Sequence, residues 1–192
     1  MQQKKLTRQT WLQAAFRALT SGGPAAIKVE VIARDLTVSK GSFYWHFKNV
    51  PTLKSEMLSH WKNTATQAVI KDLEKAATSP AEKLKNLIIA ATSGRDDEYG
   101  GVLTEAAIRD WARYDLEVSV SVKQIDSKRL EFLKTLFSEC GFDDENSASH
   151  ARLIYASLIG LQALSHHDLA NSNKELLNLL SILLNTKQST PK

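Results

Sequence analysis

Between residues 39 and 48 the chain carries a run of groups suited to a polyanion. Lys40 and Lys48 can neutralise phosphates, and Ser42 and Tyr44 can donate hydrogen bonds to phosphate or base edges. Gly41 lets a backbone approach a partner closely. Trp45 is the odd member, because a large ring on a solvated face is costly unless it meets something. Either it covers neighbouring apolar surface within the fold, or it touches a partner such as a thymine methyl or a sugar. A second set could in principle do acid–base or nucleophilic work: Cys140, His150, His166, His167 and Asp168. No G-x-S-x-G, phosphate-cradling glycine loop or H-E-x-x-H accompanies them, and metal-ligand spacings are absent. His166 and His167 end a helical stretch, where the dipole favours histidine anyway. The expectation is therefore no enzyme, no cofactor and no metal.

The elements that hold these residues read as helix throughout. Leu12, Ala15, Phe16 and Leu19 follow helical spacing, and Gly22-Gly23-Pro24 stops that helix. Val29, Ile32, Ala33 and Leu36 repeat the pattern before a break at Thr37-Val38. Ser39 then suits an N-cap, with Phe43 and Phe47 four residues apart on one face. Turning that helix at about 100° per residue puts Phe43, Phe47 and Ser39 toward a small core. Gly41, Tyr44, Trp45 and Lys48 fall on the other side. Asn49 can cap the next helix with Pro51 in its first turn. Ser79-Pro80-Ala81-Glu82 is a capping box opening another. Further helices follow from about 102 to 114, 116 to 140, 143 to 167 and 173 to 185, with a polar loop at 95–101. The sum is an all-α chain of about nine helices.

Composition agrees. Hydrophobic residues make up 43% and charged residues 24% of the 192, which fits a globular protein rather than a disordered chain. Eight glycines and four prolines are too few for an all-β sandwich. A single cysteine allows no intramolecular disulfide and no Cys-based metal site. No stretch reaches the ~18 apolar residues of a membrane span, and Arg8, Gln13 and Arg17 interrupt any signal-peptide core, so a cytoplasmic protein is expected. Charge is unevenly spread. Residues 1–60 hold nine Lys/Arg against three acids, net +6, while residues 61–192 are net −2. A basic third on a slightly acidic body suits a polyanion partner.

Two short helices joined by a tight break within a basic three-helix segment suggest a helix-turn-helix. The residues that carry it, Ile32-Ala33 and then Val38-Ser39-Lys40-Gly41-Ser42-Phe43-Tyr44-Trp45-His46-Phe47, resemble the signature of tetracycline-repressor (TetR) family regulators. The flanks Ala14-Ala15, Leu19 and Leu53 are similar too, so the resemblance covers about residues 8–60. It implies a dimeric regulator that binds palindromic double-stranded DNA and is released by a small ligand held in the C-terminal body. It implies a helix-turn-helix domain at 1–50 and a helical ligand-binding and dimerisation domain at 51–192. It places Ser39, Lys40, Gly41, Ser42, Tyr44, Trp45 and His46 on the recognition helix, with Tyr44 and His46 at positions that touch phosphate. Lys28 stands where the family often has threonine, and should still contact phosphate. Two departures stand out. Thr37 replaces the family's usual glycine at the bend, which predicts a different turn backbone, since a β-branched residue in left-handed geometry costs roughly 1–2 kcal/mol. Val50 replaces a frequent lysine, which removes one phosphate contact.

In the body, Glu105 to Arg113 precedes a long helix carrying Asp126 and Arg129, which resembles a recurring regulatory domain of the same family. Trp61, Trp111, Tyr114, Phe132 and Tyr155 are the residues expected to line a pocket for an apolar or aromatic effector, each of them also suited to plain core. From Leu176 to Leu184 the last helix is apolar nearly all round, and the helix before it carries two stripes. Leu153, Ser157, Gly160, Leu164, Leu180 and Leu183 are therefore expected at a homodimer face built as a four-helix bundle. The alternatives are a regulator answering a metal or partner protein, and a helical interaction module without DNA. The latter would not need Lys28, Lys40 and Lys48 clustered about one short helix.

Overall fold

The structure is a computed structural model describing residues 6–76, 78–93, 97–164 and 169–186. Among these residues every regular element is a helix. In chain order they are α1 (Arg8–Gly22), α2 (Val29–Asp35), α3 (Gly41–Tyr44), α4 (Val50–Lys62), α5 (Ala68–Lys75), α6 (Pro80–Thr92), α7 (Thr104–Trp111), α8 (Leu116–Glu139), α9 (Asp144–Leu164) and α10 (Leu169–Asn185). A π-helical turn, Asn63–Gln67, joins α4 to α5 without interruption. Counted as continuous rods, the described residues give the nine helices that periodicity predicts. None of them is long and apolar enough to cross a membrane. Lys4, Lys5, Arg95, Asp96 and the His166-His167-Asp168 run lie outside the described residues.

The chain divides into two compact units. The first comprises Met1–Lys62 and Arg95–Val122, the second Asn63–Gly94 and Lys123–Lys192. The expected boundary at residue 50 therefore cuts through the first unit. The reason is packing: Leu53, Met57 and Leu58 of α4 are buried, and α1 packs on both α4 and α7. Around α1 the core gathers Trp11, Phe16, Leu19, Ile32, Phe43 and Phe47, each essentially inaccessible. Trp11 meets Phe43 edge-on at 5.4 Å between centroids, and Phe43 stacks on Phe47 at 5.6 Å. Thr7 caps α1 in a reciprocal box with Thr10.

The stretch expected as a loop before α7 is instead two short helical turns laid on α1. Tyr99 stacks on His60 at 4.1 Å and meets Phe16 edge-on at 5.8 Å. Gln9 donates to the Tyr99 hydroxyl at 2.9 Å, and the Thr104 hydroxyl donates to the Tyr99 carbonyl at 2.6 Å. Gly100 between them has φ 85, and a Cβ there would sit 2.7 Å from Thr20 Cγ2. Only glycine lets this strap lie so close.

In the second unit, Ser79 and Glu82 form the anticipated capping box, with Pro80 in the first turn of α6. Its core combines Leu84 and Ile88 of α6, Leu133, Leu136 and Phe137 of α8, Ile154 of α9, and Leu176, Leu180 and Leu183 of α10. A polar cluster lies beside the π turn. Arg129 donates from Nε to Thr66 Oγ1 at 2.9 Å and from Nη2 to the Ala65 carbonyl at 3.2 Å. Its Nη1 donates to the Tyr155 hydroxyl, which in turn donates to Asp126 Oδ1 at 2.6 Å. A π turn shifts its carbonyls from the regular ladder, and the Arg129 guanidinium adds a side-chain donor to one of them.

Candidate nucleic-acid interface

The candidate surface begins where α2 ends. Leu36 closes the helix, Thr37 N–H donates to the Arg34 carbonyl at 3.1 Å, and Val38 N–H reaches back to the Ala33 carbonyl at 2.9 Å. These are the two bonds of a Schellman stop, which demands a left-handed residue between the helix and the return. Thr37 supplies it with φ 57. The expectation of a different backbone is thus corrected: the two backbone bonds and the burial of Ile32 and Ala33 outweigh the strain of a β-branched residue.

Helix α3 is a single turn. Its first bonds run from Ser42 N–H to the Ser39 carbonyl and from Phe43 N–H to the Lys40 carbonyl, both 3.1 Å. Ser39 was expected as a side-chain cap facing inward, but α3 starts at Gly41 and Ser39 is exposed. Phe43 and Phe47 anchor the turn by burying both rings, each worth roughly 1.5–3 kcal/mol. What remains points outward. Tyr44 is 64% exposed and Trp45 89%, while Gly41, Lys40 and Lys48 are also exposed. Trp45 therefore covers no neighbouring apolar surface. Ser42 and His46 are half-buried at the flanks of the surface, and Lys28 is exposed just before α2.

Charge on this surface is arranged in pairs as well as singly. Lys40 Nζ donates to Glu30 Oε1 at 2.8 Å. That hydrogen bond, together with a backbone N–H and the Lys40 charge, holds the Glu30 carboxyl below the usual carboxylate range. Both groups are exposed, so the pair contributes little and opens readily. At the far end, Asn49 Oδ1 accepts from Thr52 N–H at 2.9 Å, capping α4 as its position predicts.

One participant was legible in the sequence only as a charge. Arg8, in the first turn of α1, donates from Nη1 to the His46 carbonyl. Its Nε donates to Glu56 Oε2 at 2.8 Å, and its Nη2 pairs with Glu56 Oε1. The guanidinium also lies 4.4 Å from the Phe47 ring centroid. Nothing in local spacing connects residues 8, 46 and 56.

Of the five expected pocket residues, Trp61, Trp111 and Tyr114 belong to the first unit, and Phe132 and Tyr155 to the second. Trp61 is buried in the first unit, its Nε1 donating to Glu105 at 3.1 Å. Trp111 is buried in the same unit, donating to Asp115 at 3.0 Å with Lys54 over its ring. Tyr114 is 81% exposed. In the second unit, Tyr155 belongs to the Arg129 cluster, and Phe132 lines a groove of about 350 Å³ with Ile70, Lys83, Lys128 and Leu136. The six expected interface residues also divide. Leu153 and Leu164 are exposed, as is Gly160, and Ser157 is half-buried between them. Leu180 and Leu183 are not available to a partner, because they fill the second unit's own core. Among the described residues of α10, Ile182 is an exposed large apolar side chain.

Residues 12–50 match the family model described as bacterial regulatory proteins, tetR family. Over 86 residues the chain is 31% identical to the HTH-type transcriptional regulator AcrR of Shigella flexneri. That match takes in 45% of this chain and 39% of AcrR, so it spans well under half of that relative. Likeness of fold extends further. A TetR transcriptional regulator from Legionella pneumophila superposes with a TM-score of 0.73 at 19% identity, covering 95% of this chain and 97% of that one. FadR from Bacillus subtilis, in complex with stearoyl-CoA, gives 0.67 at 18% identity over 91% of this chain and 97% of that one. The helix-turn-helix built at residues 29–47 lies within the segment 12–50 that matches the tetR family model, and the rest of the chain shares its fold with the solved regulators.

Proposed function

We propose that this chain is a DNA-binding transcriptional regulator that acts as a homodimer on a palindromic operator and represses until a small ligand binds its second unit. The observation that carries the reading is the two-sidedness of residues 41–48. One side sinks Phe43 and Phe47 into the core, and the other leaves Tyr44 and Trp45 in solvent beside Lys40 and Lys48. Exposed rings amid cations are unfavourable in water and favourable in a groove lined by phosphates and methyl groups. Lys28, Ser39, Lys40, Ser42, Tyr44, His46 and Lys48 hold the backbone in this reading, while Gly41 permits close approach and Trp45 reads base edges. A regulator that meets chromosomal DNA works in the cytoplasm.

The partner copy is taken up by Leu153, Ser157, Gly160 and Leu164 of α9 with Ile182 of α10. The effector is apolar or aromatic. The stearoyl-CoA of the Bacillus subtilis FadR complex favours an apolar chain, and Ile70, Phe132 and Leu136 supply apolar lining to a second-unit groove that also carries Glu74, Lys83, Lys128, Glu131, Thr135 and Glu139. Selection from random duplexes with the purified protein tests the whole reading. The expected product is an inverted repeat whose affinity falls steeply with salt. Recovery of unrelated sequences, with no salt dependence, would overturn it.

A further inference from the structure

We infer that Arg8 is a positioning residue for the recognition helix, acting through the His46 carbonyl while Glu56 keeps its charge from the DNA. The inference rests on the reading of residues 39–48 as the DNA-contacting surface. Helix α3 has only one turn, from Gly41 to Tyr44. A single turn carries few backbone bonds and is unstable alone. Its orientation therefore depends on what grips its two ends. The early end is tied by the Thr37 stop and the Phe43 ring. At the late end, the His46 N–H and the Phe47 N–H both return to the Phe43 carbonyl at 2.9 Å, which closes the turn, and the buried Phe47 ring seats it, leaving the backbone there to be held from outside.

Arg8 makes that outside connection. Its fork reaches the His46 carbonyl, its plane rests on Phe47, and its other edge is held by both Glu56 oxygens. Three separate elements, α1, the end of α3 and α4, meet at one guanidinium. A planar, five-donor group can do this and an ammonium cannot. The Glu56 carboxylate matters equally. With both oxygens engaged it neutralises Arg8 and occupies the donors a phosphate would otherwise take. Arg8 is thus basic in sequence and silent in electrostatics, unlike Lys48 two positions beyond His46.

The test measures affinity for the selected operator and for an unrelated duplex across a salt series, for the wild-type chain, Arg8→Ala, Arg8→Lys and Glu56→Gln. Thermal melts accompany each variant. Arg8→Ala should cut the ratio of operator to unrelated affinity roughly tenfold, the worth of one charge-assisted hydrogen bond, with the salt slope unchanged. Arg8→Lys keeps the charge without the fork and should lose the same selectivity. It also serves as the readout if the alanine variant does not fold. Glu56→Gln frees the Arg8 charge and should steepen the slope by up to about one. A slope that falls by about one in Arg8→Ala with selectivity intact would make Arg8 a direct phosphate contact and overturn the inference. Unchanged selectivity in both Arg8 variants, or full rescue by lysine, would overturn it as well. If the wild-type chain binds no duplex at low salt, the DNA reading fails and the inference falls with it. If the wild type binds and only the variants disagree, the inference alone falls.

Discussion

The two units of this chain turn their costly side chains in opposite directions. In the first, Tyr44 and Trp45 stand in solvent among lysines. In the second, Asp126, Arg129, Tyr155 and Thr66 turn inward and satisfy one another around a π turn. Apolar surface in water and polar groups away from water are both penalised. The second unit removes its penalty internally, since each polar group of the cluster has a partner. The first leaves the rings of Tyr44 and Trp45 open to water beside Lys40 and Lys48.

Substitutions can sharpen the contrast, beginning with the largest expected effect. Leu180→Asp should unfold the second unit, costing about 4 kcal/mol or more, because Leu180 is 4% exposed in the core. Leu164→Glu, at a residue 84% exposed, should leave the melting temperature alone and lower the mass seen in sedimentation. If the two variants behave alike, the division of that helix pair into core and interface is wrong. Next, Tyr155→Phe removes the hydroxyl that links Arg129 to Asp126 and should cost about 1–3 kcal/mol in urea unfolding. Tyr44→Ala should leave stability within about 0.5 kcal/mol yet weaken binding to every duplex, whereas Trp45→Ala should change which operator variants are preferred. Equal losses on all variants would deny Trp45 a reading role.

A smaller effect is expected at the helix stop. Thr37→Gly should stabilise the first unit by about 1 kcal/mol, seen as a raised urea midpoint, because it relieves the left-handed threonine. The smallest concerns pH. Burial pushes the imidazoles of His60 and His150 below their ordinary value of 6.5, with the Asp143 charge acting the other way on His150. The unfolded chain then takes up protons that the folded chain refuses. The stability these residues contribute is present above pH 6.5 and is lost as pH falls through their lowered folded values. Replacing His60 and His150 together by glutamine should flatten the midpoint against pH between 7 and 5.

Much of the fold could be read from local chemistry. Asn49 before Pro51, the Ser79-to-Glu82 box and the four-residue spacing of Phe43 and Phe47 act within a turn or two, and the structure follows them. The outward turn of Trp45 is likewise a matter of helical angle alone. What escaped depends on distant partners. An apolar stripe states that a face is covered but not by what, so Leu180 and Leu183 fit a second copy as well as α6 and α9 until the packing is known. Thr37 follows backbone bonds to Ala33 and Arg34 against its own preference. Arg8 works across 38 and 48 positions of chain, beyond any periodic signal.

The strap of residues 97–104 carries a consequence for engineering. Phe16 and Trp61 are shielded partly by Tyr99 and Glu105, which arrive from a remote stretch of chain. The helices at residues 29–47 are therefore no detachable cassette. A chimera that fuses residues 1–62 to a foreign body would leave Phe16 and Trp61 bare to water, and its insolubility would be mistaken for a poor junction. A successful transplant has to carry residues 97–122 along as a second, non-contiguous graft.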